Sequence, residues 1–366
     1  MRKYALYALA LALLAAGIYA ALRTGTASRL CPSFFCPPDR AGEMRERTVG
    51  EYHYNYKGDP GLPLFSWVYA GFLTDEKGGL YQFSCTYYSE ESTYYPGFLV
   101  LLKKLNKDRT GGKILYKFSW KEGVPRFTES AGSVRITAGS AARGFEINVT
   151  ESSHTLKVWK GDGFRLDLSF EERMDPVFIY NRGNPIPLPN GGHLFLVDDF
   201  IHGEGSLKLG GSISGVGADL THERVYSPID QWQFNYEDWL CVFHKDFYAL
   251  FFITGERGLA EVDKGLSEGF VYFRKEKKYI PLDHLEVRYA MTTQTRILKK
   301  DSLVSMETPV SFSAEALGED LKFNFNFEGI GGPEERELAM TGRGHIEYKG
   351  KRTDYDPVLA WEEFMR

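Results

Sequence analysis

The residues best suited to chemistry form a short polar group near the middle of the chain. Asp219, Thr221 and Glu223 are two residues apart, so on a β-strand their side chains share one face and His222 takes the other. Two carboxylates on one face could share a pocket, where one would have a raised pKa and donate a proton. The structural alternative is that Glu223 pairs with an arginine at a barrel rim, or that the group only orients a ligand.

Aromatic residues could supply the rest of such a site. Protonation of an alkene needs an acid beside an apolar cavity, where aromatic faces stabilise a carbocation. The side chains inside a β-barrel either fill it or surround a ligand, so core packing and cavity lining both stay open. The tryptophans in question are Trp67, Trp120, Trp159, Trp232 and Trp239.

A second polar cluster contains residue types that bind metals. Asp198, Asp199, His202 and Glu204 lie close together, with His193 nearby. Their spacing fits no specific metal site, so we expect solvated loop charges and no metal. The chain also has no P-loop, no G-x-S-x-G, no dinucleotide fingerprint and no HExxH, so no cofactor is expected.

The elements that position these residues are predicted to be strands. The 366 residues are 15% aromatic and include 38 glycines, which favours aromatic strands joined by glycine turns. Leu321, Phe323, Phe325 and Phe327 alternate with polar residues, and similar segments recur about every 8–12 residues, as in a sandwich or barrel. The net charge of −5 and the lack of a basic stripe argue against nucleic-acid binding.

The N-terminus contains a candidate membrane segment. Residues 4–22 carry no charge and follow Arg2 and Lys3, which predicts a body outside the cytoplasm. A transmembrane signal anchor and a cleaved signal peptide, with the possible cleavage site at Gly25–Ala27, both stay open. Residues 24–50 read as a stalk. The protein is therefore predicted to be membrane-anchored, or secreted if the segment is cleaved.

Four cysteines are consistent with export. Cys31 and Cys36 could form a disulfide that closes a short loop after the membrane segment. We expect Cys85 and Cys241, in predicted strands, to be buried free thiols, with pairing between them as the alternative.

Three short segments resemble one family. Residues 215–224, together with Trp239, resemble the central motif of the AttH-type, carotenoid hydratase-like proteins, to which the tocopherol cyclases are more distantly related. Residues 66–69 are similar to that family's opening motif, and residues 342–347 to its closing one. The resemblance implies an all-β protein of two lipocalin-like antiparallel β-barrels in tandem. Together with the N-terminal transmembrane or signal helix and the strand pattern, it gives the expected divisions 1–23 (anchor or signal), 24–50 (stalk), 51–215 and 216–352 (barrels) and 353–366 (short helix).

The motif residues match only in part. Thr221 stands where the motif carries the aspartate that would protonate an alkene, and a hydroxyl does not titrate in the useful range. Asp219 stands where it carries a tryptophan, and Ser66 where the opening motif has glutamate. The candidate catalytic residues are Asp219, Glu223 and His222. The candidate ligand-binding residues are Trp67, Tyr69, Thr221, His222, Trp232 and Trp239.

The leading hypothesis is a membrane-tethered, extracytoplasmic protein that binds a hydrophobic small molecule, a lipid or isoprenoid, in a β-barrel cavity. One alternative is an isoprenoid hydratase or cyclase that uses a carboxylate as proton donor. Another is a surface carbohydrate-binding or interaction module, which would present tryptophans on an exposed flat face.

Overall fold

The computed structural model describes most of the chain from residue 64 to residue 365. The described residues are 64–88, 97–120, 126–130, 133–150, 153–173, 177–178, 186–187, 193–227, 237–254, 267–299, 302–331 and 337–365. Every regular element among them is a β-strand. The all-β class predicted from the sequence is confirmed.

The first half of the chain forms one antiparallel sheet of 13 strands. The strands are β1 (Leu64–Asp75), β2 (Leu80–Tyr88), β3 (Gly97–Leu105), β4 (Gly112–Trp120), β5 (Arg126–Ser130), β6 (Ser133–Ser140), β7 (Arg143–Thr150), β8 (His154–Lys160), β9 (Phe164–Arg173), β10 (Val177–Phe178), β11 (Ile186–Pro187), β12 (His193–Leu209) and β13 (Ser212–Ser227). Their order is β4-β3-β2-β1-β13-β12-β9-β8-β7-β6-β5, and the short strands β10 and β11 pair with β12 outside that path.

This sheet curls until strands that are distant in its order touch. The hydroxyl of Tyr116, on β4, donates a hydrogen bond to the backbone carbonyl of Gly163, directly before β9, over 2.6 Å. Six strand spacings separate β4 from β9, or about 29 Å in a flat sheet. The concave face holds an apolar core that includes Phe83, Leu102 and Leu166, so burial of this face favours the curl.

The second half forms a closed barrel of eight strands. They are β14 (Glu237–Phe243), β15 (Phe247–Thr254), β16 (Ser267–Phe273), β17 (Lys278–Lys299), β18 (Ser302–Gly318), β19 (Leu321–Gly329), β20 (Glu337–Tyr348) and β21 (Lys351–Met365). The predicted alternation in β19 is confirmed, because Leu321, Phe323, Phe325 and Phe327 are buried inside the barrel and the residues between them are more exposed.

The outer face of the sheet packs on the outer face of the barrel. Phe200 of β12 stacks on Tyr248 of β15 with ring centroids 4.7 Å apart, and Phe72 of β1 meets Phe243 of β14 edge-on at 5.6 Å. These rings belong to one buried apolar cluster that also includes Trp361. The strands at this junction are therefore covered on both faces.

The expectation of two closed barrels is wrong for the first half. In the described part of the chain the end strands β4 and β5 each pair with a single neighbour, so the sheet is a curled half-barrel. Side-chain contact between β4 and the β8–β9 region covers the core there, in place of a hydrogen-bonded ladder. The expected boundary after residue 215 also falls inside β13, whose full length pairs within the sheet.

The short C-terminal helix expected over residues 353–366 is wrong, because this segment is strand β21. It closes the barrel by pairing with β14 and β20. Val358 and Ala360 face the barrel interior, whereas Leu359 and Trp361 face the sheet. A strand that is buried on both faces has a continuous apolar run, which sequence periodicity does not distinguish from a helix.

Cys85 and Cys241 are buried free thiols, as predicted. Burial, reinforced by the charge of Glu337, raises the pKa of Cys85, so its thiol stays protonated at neutral pH. The predicted Cys31–Cys36 bridge, the signal or anchor segment and the stalk all lie outside the described residues. No helix within the described ranges has the length and apolarity needed to cross a membrane.

Candidate functional site

Three polar side chains form a row across the concave face of the sheet. In the register of the central strands, Tyr69 of β1 lies opposite His222 of β13, and His222 lies opposite Asp199 of β12. The Tyr69 ring stacks on His222 with centroids 4.5 Å apart, and His222 Nδ1 is 3.0 Å from Asp199 Oδ1. The row therefore combines a phenol, an imidazole and a carboxylate in successive contact.

The curl of the sheet adds a second histidine to this row. His154, the first residue of β8, shares a 2.8 Å hydrogen bond between its Nε2 and the hydroxyl of Tyr69. Strand β8 is four spacings from β1, about 19 Å in a flat sheet, so only the curl makes this contact. The His154 ring also meets His222 edge-on at 5.0 Å. We call Tyr69, His154, Asp199 and His222 the concave tetrad.

Apolar side chains surround the concave tetrad. Phe170 of β9 lies 5.2 Å from the His154 ring, and Ile201 and Leu220 belong to the same buried core. All four tetrad residues are buried. An acid–base group in such surroundings is shielded from water, which strengthens its electrostatic interactions.

Asp219 lies on the opposite face of β13 and contacts the barrel. Its Oδ1 is 2.8 Å from His202 Nδ1, accepts a hydrogen bond from the Tyr248 hydroxyl at 2.8 Å, and is 3.5 Å from Arg274 Nη1. Burial opposes ionisation of this carboxyl, but the bonds from His202 and Tyr248 and the charge of Arg274 outweigh it and lower the pKa of Asp219. At neutral pH it is a carboxylate, which suits a charge partner better than a proton donor.

Thr221 and Glu223 share the barrel-facing side of β13 with Asp219. Both are buried, and they lie opposite Ala70 and Val68 of β1, which pack in the sheet–barrel cluster. The structure thus has the alternation that the sequence predicts. The polar group is split, with His222 in the concave interior and the two carboxylates between sheet and barrel.

Of the predicted aromatic ligand-binding residues, the structure describes the side chains of Tyr69 and Trp239, and these two lie on different sides of the sheet. Trp239 is buried between sheet and barrel, where its Nε1 donates to Cys241 Sγ over 3.1 Å and its ring meets Phe252. Trp232 and the side chain of Trp67 lie outside the described residues. Tyr69 contacts His222.

A further buried link joins the two halves through Glu337 at the start of β20. Its Oε1 accepts a hydrogen bond from Ser84 of β2 at 2.6 Å, and its Oε2 accepts one from Trp361 Nε1 at 3.2 Å. Glu337 and Trp361 were not among the residues singled out from the sequence. Their partners are distant along the chain, so no local pattern indicates the contact.

His154 is another residue that the sequence did not indicate. In the sequence it follows a polar segment and begins an ordinary amphipathic strand, so nothing local marks it as a site residue. Asp199 was considered only as part of a possible metal cluster with His202. On β12 these two side chains take opposite faces, since Asp199 lies beside His222 and His202 beside Asp219.

Together, the curled sheet and the closed barrel define the fold. This fold is similar to that of an AttH-like protein and of kievitone hydratase, in agreement with the resemblance of the three motifs. Two of those motifs lie next to each other, since Tyr69 and His222 are cross-strand partners. No family model and no curated protein matches the sequence.

Several solved structures have a similar fold. An AttH-like protein from Nitrosomonas europaea aligns with a TM-score of 0.53 and 12% identity over 85% of this chain and 95% of its own. Kievitone hydratase from Nectria haematococca has a TM-score of 0.53 and 11% identity over 87% and 94%. CghA, in complex with Sch210972, has a TM-score of 0.53 and 10% identity over 83% and 89%. At this identity the likeness shows a shared fold.

Proposed function

We propose that this protein binds a hydrophobic small molecule against the concave face of the curled sheet and acts on it by acid–base chemistry. The observation that carries the proposal is the concave tetrad. The Tyr69 hydroxyl is hydrogen-bonded to His154, and the Tyr69 ring stacks on His222. Two imidazoles, a phenol and a carboxylate in one apolar interior are the groups that general acid–base catalysis uses.

Addition of water to a double bond is the reaction that this arrangement serves best. One group delivers a proton to one carbon, and a second accepts the proton that water loses as its oxygen bonds to the other carbon. The Tyr69–His154 pair and the His222–Asp199 pair supply two such groups within contact of each other. The name of one structural neighbour, kievitone hydratase, adds support.

The test uses the full chain and a panel of apolar compounds that contain isolated or conjugated double bonds, incubated in ¹⁸O-labelled water. We expect at least one compound to gain labelled oxygen, and Tyr69→Phe to slow this by about 100-fold, within the range of general acid–base effects. The matched control is Tyr81→Phe, which removes a 2.8 Å bond to Asp75 from the same sheet.

Two results would decide against this proposal. One is equal turnover by the wild type and Tyr69→Phe. The other is tight binding of panel compounds, seen by native mass spectrometry, with no turnover of any of them. The second result would leave the simpler function of a hydrophobic-ligand carrier, which needs the apolar interior alone.

A membrane tether belongs to the same proposal. The uncharged residues 4–22, preceded by Arg2 and Lys3, support an anchored body outside the cytoplasm. Carbonate extraction and protease protection of the full chain test this directly. Release of a shortened protein into the medium would indicate a cleaved signal instead.

A further inference from the structure

A groove of about 680 Å³ lies between the sheet and the barrel, on the far side of β13 from the concave tetrad. Strands β1, β12 and β13 line one wall, and β14, β21 and the turn after β16 line the other. Phe72, Phe243 and Leu359 give the groove an apolar part. These side chains belong to the buried apolar cluster between sheet and barrel or pack against it, so the apolar part of the groove is continuous with that cluster.

The polar part of the groove is strongly basic. Its permanent cations are Arg109, Lys245, Arg274 and Lys275, and His202 and His244 lie among them. Two carboxylates oppose these four charges. Asp219 lines the groove, and Asp246 contacts Lys275 and His244 at 3.7 and 3.6 Å. A cationic excess in a chain of net charge −5 is a local feature of this groove.

The two arginines are held in place by the protein. Arg274 has a side chain only 11% exposed, lies 3.5 Å from Asp219 Oδ1, and has its guanidinium 4.7 Å from the centre of the Tyr248 ring. Arg109 donates from Nη1 to the hydroxyl of Thr341 on β20 over 3.2 Å. A guanidinium has five N–H donors, so these contacts orient Arg109 while leaving it further donors for a ligand.

We propose that this groove binds the oxyanion head of a small amphipathic molecule, a phosphate or a carboxylate, with the apolar part of the ligand against Phe72 and Phe243. The paired N–H donors of an arginine guanidinium match the geometry of both oxyanions. Asp219 does not repel such a ligand strongly, because its Oδ1 already faces His202, Tyr248 and Arg274. The site does not use the concave tetrad and stands independently of the reaction proposed there.

The direct test measures binding of octyl phosphate to the full chain by isothermal titration, with octyl glucoside as the neutral probe and inorganic phosphate as competitor. We expect binding of octyl phosphate, no measurable binding of octyl glucoside, and competition by phosphate that weakens as salt is added.

Charge-neutral variants locate the site. Arg109→Gln and Arg274→Gln should each weaken octyl phosphate binding by about ten-fold or more, the scale for one charge-assisted hydrogen bond. The matched control is Arg352→Gln, which removes an exposed arginine of β21 that pairs with Asp354. It should leave affinity unchanged, as should Tyr69→Phe. Arg109→Gln keeps the test valid if loss of the Arg274–Asp219 contact impairs folding.

The source of the oxyanion is decided with vesicles. Stronger sedimentation with phosphatidylglycerol vesicles than with phosphatidylcholine vesicles, with the difference lost in Arg109→Gln, would support the site and identify a lipid headgroup. Binding of octyl phosphate without that difference between vesicles would support the site and identify a soluble ligand. The proposal is overturned if octyl phosphate does not bind, or if Arg109→Gln and Arg274→Gln bind it as tightly as Arg352→Gln does.

Discussion

The hydrogen bond between Ser84 and Glu337 should measurably stabilise the junction of sheet and barrel. Ser84 is fully buried on β2, and Glu337 is 4% exposed on β20. The Ser84 hydroxyl is 2.6 Å from Glu337 Oε1, the length of a charge-assisted O–H···O bond. Ser84→Ala removes this donor and leaves a buried carboxyl oxygen with one bond fewer, while Trp361 still donates to the other oxygen.

The loss of stability expected for Ser84→Ala follows from the burial of the two groups and from the charge on the acceptor. A hydrogen bond to a charged group contributes about 1.5–3 kcal/mol net, and the loss of one oxygen atom creates little cavity. Since a protein of this size loses about 1.5 °C in Tm per kcal/mol, Ser84→Ala should melt about 2–4 °C lower. Because the bond joins the two halves, wild type should unfold in one transition that both sheet and barrel share.

The assay is urea unfolding followed by fluorescence and by circular dichroism. Ser169→Ala, an exposed serine on β9, is the matched control and should change the free energy of unfolding by less than about 0.5 kcal/mol. A double-mutant cycle with Glu337→Gln isolates the pairwise energy. The reasoning fails if Ser84→Ala behaves like the control, or if the cycle shows no coupling between the two positions.

Four more changes test three separate parts of the structure. Gly205→Ala would place a Cβ against the backbone oxygen of Asp167 on β9, closer than a Cβ can approach, so the free energy of unfolding should fall by about 2 kcal/mol or more. Gly217→Ala, with open space around the new Cβ, should be nearly neutral in the same urea assay. Folding lowers the pKa of Asp219, so its stabilising contribution is complete above the ordinary value of 3.8 and lost as pH falls below it. The Tm of Asp219→Asn should therefore lie below that of wild type at pH 7 and approach it as the pH falls below 3.8, and a constant difference would contradict this. Trp361→Ala should cost about 3–5 kcal/mol, and truncation after residue 352 should prevent folding, because β21 closes the barrel; a truncated chain with native circular dichroism would refute that role.

The basic groove and the concave tetrad lie on opposite faces of the same strand. Asp219 and His222 are three residues apart on β13, yet Asp219 faces the groove and His222 the concave interior. A single strand therefore contributes to both proposed sites. Variants on one face should leave the readout of the other unchanged, which keeps the two proposals separable.

Local sequence patterns determined much of this protein. The alternation of Leu321 to Phe327 places these side chains inside the barrel, because the period of a strand is two wherever one face is apolar. The same rule separates His222 from Asp219 and Glu223. It fails for residues 358–361, where both faces are buried and the apolar run carries no period.

Only the tertiary structure decided which polar residues meet. Tyr69 was selected from its motif, but its hydrogen-bond partner His154 is 85 residues away and has no local signature. The contact depends on how far the sheet curls, which burial of the whole concave face sets and no single segment encodes. The sequence by itself indicates only a strand with His222 on one face and two carboxylates on the other. The packing of barrel against sheet determines that Asp219 faces basic side chains, while the curl encloses His222 in an apolar interior.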